Sequence, residues 1–156
     1  MTLEQGQPFV ALRNSDIYGV RLINNSPHEA AVDLRIDGVN SFAFSDTKTT
    51  YWIVDPHSHT DITGWHRGES NTTEFRVVAN FPDTAAAKLN LRPSSAIGLI
   101  TASFSASWEK DSQRPGDEPE VEGRGTGFGQ DIKVITTRVT RTIGQIRDNL
   151  SVRYEK

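Results

Sequence analysis

Apolar and polar residues alternate along most of the chain, the two-residue period of half-buried β-strands. Tyr18, Val20 and Leu22 fall on one side, Gly19 and Arg21 on the other. After the turn-rich stretch 24–29, Ala30, Val32, Leu34 and Ile36 alternate with Ala31, Asp33, Arg35 and Asp37. The two segments read as a hairpin with a moderately long loop, closed at its far end by Asp37-Gly38. Tyr51–Val54 is a short aromatic and β-branched run ended by Asp55-Pro56. Another short strand carries Ile62 inward and is closed by Gly64-Trp65. Phe75, Val77 and Ala79 then alternate with Arg76, Val78 and Asn80.

One helix is predicted, over Asp83–Leu89. Pro82 precedes it, Asp83 can accept from its first free N–H groups, Ala85–Ala87 favour it and Pro93 stops it. Ile97–Trp108 follows as a long strand. Ile100, Ala102, Phe104, Ala106 and Trp108 form a dry face, and Thr101, Ser103, Ser105 and Ser107 a wet one. Glu109–Gly127, charged and rich in Pro and Gly, breaks the pattern and reads as a mobile loop. Ile132–Arg141 resumes as a strand with a shift at Val134-Ile135, and Leu150, Val152 and Tyr154 mark a last strand. The sum predicts an all-β fold spanning 1–156 as a single domain. Its expected form is an antiparallel two-sheet β-sandwich, immunoglobulin-like or jelly-roll-like, with one short helix. Trp52 and Trp108 fall at core positions, which leaves Tyr51 and Trp65 as the freer aromatic pair.

Composition narrows the function classes. A net charge of -3 with no clustered Lys or Arg argues against nucleic acid. The longest apolar stretch, near Ile97–Thr101, is far too short to span a bilayer. The chain has no cysteine, which excludes disulfides and thiolate metal sites. The start is acidic and polar rather than basic then apolar, so the sequence as written reads as cytoplasmic, or as extracytoplasmic if trimmed to a mature form. No Gly-x-Ser-x-Gly elbow, His-Glu-x-x-His or thiol nucleophile is present, so the chain reads as non-enzymatic.

Three clusters carry candidate chemistry. In an extended segment His57 and His59 project to one side, as two imidazoles sharing a metal must, and Asp61 or Asp55, or His66 folding back, would complete the set. Zinc is the ion such a site would favour. Polar turn residues that happen to include histidine are the plainer account, and the expectation is of no resident cofactor. Tyr51 and Trp65, with His66 and Arg67 beside them, form a candidate binding surface on which a sugar ring could stack. Gly123-Arg124-Gly125-Thr126-Gly127-Phe128-Gly129 has phosphate-loop spacing but lacks the Lys-Ser/Thr and the following helix, and more plausibly lets a strand pass close to a bulky neighbour.

An ordered set of short motifs runs Tyr18-Gly19-Val20-Arg21-Leu22, Asp37-Gly38-Val39-Asn40, Gly64-Trp65, Phe75-Arg76-Val77, Ala85–Ala87, Ile97-Gly98-Leu99-Ile100 and Gly125-x-Gly127-x-Gly129. In this order, from about Ile17 to Tyr154, the chain resembles a family of small uncharacterised bacterial β-sandwich domains. The resemblance implies a bacterial origin and carries no established activity or catalytic residue. Members of that family often have Arg directly after Gly-Trp, where this chain has His66 and then Arg67. The leading expectation is a binding or structural module that meets a protein partner through loops (Asp55–His59, Gly64–Asn71 or Glu109–Gly127) or a sheet edge. Self-association through the hydroxyl face of Thr101–Ser107 is a variant of it. A carbohydrate-binding module is the first alternative and a metal-dependent enzyme using His57-x-His59 the second.

Overall fold

The computed structural model describes residues 2–4, 7–110, 112, 114–118 and 136–154. The phosphate-loop candidate at 123–129, residues 132–135 of one expected strand and most of the expected loop 109–127 lie outside these residues. The chain forms β1 (Thr2–Glu4), β2 (Gln7–Phe9), β3 (Ile17–Tyr18), β4 (Val20–Asn24), β5 (Ala30–Ile36), β6 (Val39–Asn40), β7 (Trp52–Val54), β8 (Ser58–Ile62), β9 (Gly64–Gly68) and β10 (Asn71–Arg76). A 3-10 turn (Phe81–Asp83), α1 (Ala85–Lys88), β11 (Leu99–Trp108) and β12 (Thr142–Arg153) complete it. This is the all-β sandwich that the alternation predicts.

The larger sheet has the order β1-β2-β12-β11-β5, and β6 and β7 share the last edge of β5. All its pairings are antiparallel except the contact of β2 with β12. Opposite it lie two small sheets, β4-β8 and β3-β10-β9. Leu22, Val32, Leu34, Ile36, Val54, Ile62, Trp65, Phe75 and Ala102 meet between the layers, and Ala86 of α1 joins them. Burying each large apolar side chain here is worth roughly 1.5–3 kcal/mol.

Several local expectations give way to tertiary structure. β4 and β5 are not a hairpin: β4 pairs with β8 and β5 with β11, so residues 25–29 cross between layers. The Asn24 side chain holds that crossing by donating to the carbonyls of His28, Val54 and Asp55. The far end of β5 does close on Asp37-Gly38. Both residues have positive φ, 56° and 79°, and Ile36 pairs with Val39, the geometry of a two-residue type I′ turn. The helix begins after Asp83, because Thr84 is its cap and accepts from the Ala87 N–H at 3.1 Å. Residues 136–141 form no strand, while β12 is longer than expected. Gly64–Asn71 is not a loop but β9, a tight turn and the first residue of β10.

The wet face of β11 is only half wet. Ser105 and Ser107 are buried, and Ser107 donates to Glu29, whose carboxylate is gripped by Arg141. Burial alone would raise the pKa of Glu29, but these bonds from Arg141 and Ser107 outweigh it and hold the carboxyl below its usual range. Further along, Asp117 and Glu118 lie against β12 at Arg147. The Glu118 carboxylate occupies the space that Gly144 leaves open and pairs with Arg147.

The two small sheets are joined by a fork. β3 and β4 run on through Gly19, β8 and β9 through Thr63, and β10 enters between β3 and β9. Close approach at the fork requires Gly64, since a Cβ there would strike the backbone of Thr73 and Glu74. Gly64→Ala is expected to destabilise the protein by about 3 kcal/mol, the upper end for overpacking. Gly68→Ala, with open space around it, should change stability by less than about 0.5 kcal/mol. Urea denaturation of both variants checks the contrast.

Candidate functional site

The main cavity, about 1200 Å³, opens between the segment Phe81–Leu89 and the strands β3 and β10. Its rings come from distant parts of the chain and touch in series. Phe44 meets Trp65 edge-on at 5.1 Å, and Trp65 meets Phe75 edge-on at 5.1 Å. Phe75 stacks on Tyr18 at 5.5 Å, and Tyr18 lies 6.0 Å from Tyr154. Each such pair adds about 0.5–1.5 kcal/mol beyond its burial, so the wall is a stiff one.

Asp37 stands where this wall meets the larger sheet. Its Oδ1 accepts from the Gly98 N–H at 2.8 Å and from the Tyr154 hydroxyl. The backbones close the same corner: Asp37 N–H donates to the Leu99 carbonyl and Tyr154 N–H to the Gly98 carbonyl. The alternation along β5 puts Asp37 among its polar positions. Even so it is half buried, because the turn that carries it folds back on the starts of two other strands. Burial, with Asp37 nearby, pushes the Tyr18 phenol far above its usual range despite a hydrogen bond with Tyr154. Tyr18 therefore stays a neutral phenol throughout the working pH range.

A second cavity of about 520 Å³ lies beside β7, lined by Tyr51, Trp52, Ile53, His66 and residues 136–139. His66 is buried, with its ring 4.7 Å from Phe42 and 5.7 Å from Trp52. Its Nδ1 lies 3.2 Å from Ser45 Oγ and its Nε2 3.1 Å from Thr136 Oγ1, so it ties β9 to the segment before β12. Desolvation lowers its pKa, against the pull of Asp46 and Glu69.

The residues singled out from the sequence do not converge. Trp65 is 8% exposed and belongs to the core, so it cannot present a sugar-stacking face with Tyr51. The two line different cavities. Trp65 and His66 are consecutive on β9 and point to opposite faces, and both faces are covered. Arg67 is half buried on the same strand. His57 does not sit in extended backbone: its φ of 51° turns the chain just before β8 starts. This breaks the same-side geometry expected of His57 and His59. His59 is exposed opposite Ile23, and Asp61 is held by Arg21 through two bonds of 2.7 Å. Those bonds, opposed by slight desolvation, keep the Asp61 carboxyl below its usual range. Among the described residues no group of three or more His, Asp or Glu side chains is placed to hold a metal ion. No helix among them is long and apolar enough to cross a membrane.

The residues that build the main cavity, Tyr18, Asp37, Phe44, Phe81 and Tyr154, were not singled out from the sequence. The one available signal was Asp37-Gly38 itself, a turn whose aspartate was read for its backbone and not for its carboxylate. Family models, curated proteins and solved structures were all compared with the chain, and none matches it.

The buried neutral imidazole makes stability depend on pH. Because the folded pKa lies below the ordinary 6.5, the unfolded chain takes up the proton first as pH falls. Stability attributable to His66 is therefore constant above pH 6.5 and declines below it, until the folded state is protonated too. One proton limits the slope to about 1.4 kcal/mol per pH unit. Urea denaturation between pH 7.5 and 5 should show a shallower decline for His66→Gln than for the parent.

Proposed function

We propose that the protein is a non-enzymatic binding module whose ligand occupies the aromatic cleft between Phe81–Leu89 and the strands. The observation that carries this reading is the cleft itself: a concave space walled by aromatic rings and rimmed by polar groups is a common form of ligand site. At about 1200 Å³ it lies above the usual range of small-molecule pockets, roughly 300–1,000 Å³. The polar groups along it serve positioning. Thr84 caps α1, and Asp37 and Tyr154 close the strand ends. That arrangement supports recognition, since these groups are engaged in holding the helix start and the strand ends. At β7, one sheet edge, the Val54 carbonyl is already taken up by Asn24. The cleft therefore refines the expectation of a binding module while moving its site away from Tyr51, Arg67 and the histidines.

Filling the cleft tests the reading. Ala85 lines it and is only half buried, so Ala85→Trp should fold and occupy the space. A fragment screen followed by amide chemical-shift mapping should return binders that perturb Val77, Ala79 and Gly98, and Ala85→Trp should abolish those shifts. Binders that map instead beside β7, or that are indifferent to Ala85→Trp, would contradict it.

A further inference from the structure

Independently of the aromatic cleft, we propose that the second cavity, beside β7, is a saccharide site in which a neutral pyranose lies on the Tyr51 ring among threonine hydroxyls. Its volume of about 520 Å³ falls inside the range of roughly 300–1,000 Å³ usual for small-molecule pockets. Trp52 is a fixed part of the wall. Its indole N–H donates to Ser41 Oγ at 2.8 Å, and its ring lies 4.4 Å from Phe42 and 5.7 Å from His66. Tyr51 differs: it is half buried, lines the cavity, and makes no ring contact and no side-chain hydrogen bond among the described residues. The hydroxyls of Thr49, Thr50, Thr60 and Thr137, which line the same cavity, also have no hydrogen-bond partner among the described residues.

An uncommitted ring and a set of uncommitted hydroxyls are the two things a pyranose uses. Its C–H face packs on the negative face of an aromatic ring. Its hydroxyls need partners that both donate and accept, as threonine hydroxyls do. Charge does not select the ligand here. Arg141 is bound to Glu29 through two hydrogen bonds, Arg138 lies 3.8 Å from Glu69, and Lys48 and Asp55 carry opposite charges. The charges around the cavity therefore cancel, and neither an anion nor a cation finds an excess of the opposite sign. A purely apolar ligand would cover the threonine hydroxyls without bonding them, and each one buried in that way costs free energy. The hydroxyls come from the segment before β7, from β8 and from the segment before β12, so the site exists only in the folded chain. It uses Tyr51 without Trp65, which the core takes.

The test is amide chemical-shift titration of the full chain with glucose, galactose, mannose and N-acetylglucosamine, beside two probes that each lack half of the chemistry. Cyclohexanol is an apolar ring with a single hydroxyl, and sorbitol is an open-chain polyol with no ring face. At least one sugar should shift Tyr51, Trp52 and Thr137 and bind at least about fivefold more tightly than either probe, the worth of about one hydrogen bond or one ring contact. Tyr51→Ala should weaken that sugar by a similar factor, and Thr137→Val, at an exposed position, gives a second reading if Tyr51→Ala fails to fold. Ala85→Trp, which fills the aromatic cleft, should leave sugar binding unchanged, so the two sites are told apart. Cyclohexanol or sorbitol matching the best sugar would overturn the saccharide assignment, as would sugar binding indifferent to both Tyr51→Ala and Thr137→Val. Sugar shifts confined to Val77, Ala79 and Gly98 would overturn the second site and give the sugar to the cleft. No shift beside β7 with any of these sugars overturns the proposal as well, and leaves the cleft to be decided by its own fragment screen.

Discussion

The Asp37 carboxylate is the point on which the arrangement of strands and the shape of the cleft both depend. A two-residue turn sends β5 back into β6, and at its first central position the side chain is free to reach sideways. It reaches the start of β11 at Gly98 and, through the Tyr154 hydroxyl, the residue that follows β12. Three neighbouring strands of the larger sheet are thus fastened at the same end. Tyr154 carries the connection to Tyr18, and from there ring contacts lead through Phe75 and Trp65 to Phe44. One half-buried polar corner therefore meets an aromatic wall assembled from five segments. A carboxylate in that position is costly unless it is satisfied, and hydrogen bonds to a charged group are worth about 1.5–3 kcal/mol each.

The opposite side of the molecule is organised around a different polar core. Trp52 donates to Ser41, His66 donates its backbone N–H to the Ser41 carbonyl, and the imidazole spans Ser45 and Thr136. β9 lies between the two clusters, with Trp65 serving one and His66 the other. The fork at Gly64 lets that strand approach β10 closely enough to be covered on both faces. Fold and cavity are consequently inseparable here, because the strand that cannot carry a side chain at Gly64 is the strand that separates the two clusters.

What the sequence disclosed follows from what alternation encodes. Period-two patterning reports which side of a strand is buried, and the inward residues of β5 and the face of β11 that includes Ala102 and Phe104 were legible on that basis. The Asp37-Gly38 turn was legible because two successive positive φ values leave few residue choices. Pairing partners were not legible. Ala30 finds Ala106 and Val54, both remote, while the neighbour in sequence, β4, goes to the other layer. β9 escaped notice because burial on both faces erases alternation, so Gly64-Trp65 looked like a strand ending. His57 and His59 looked like a pair because the rule for extended backbone was applied across a residue with left-handed backbone. The cleft could not be read at all, since its walls come together only after β10 and Phe81–Leu89 pack beside β3.

The most direct test is a double-mutant cycle between Asp37→Asn and Tyr154→Phe, read as unfolding free energy in urea. The corner described above predicts a coupling of about 1 kcal/mol or more between the two sites, since each variant alone already weakens the contact that the other removes. Additivity within about 0.3 kcal/mol would mean that carboxylate and phenol act independently, and the corner would not be the element that holds the strand ends and the aromatic wall together.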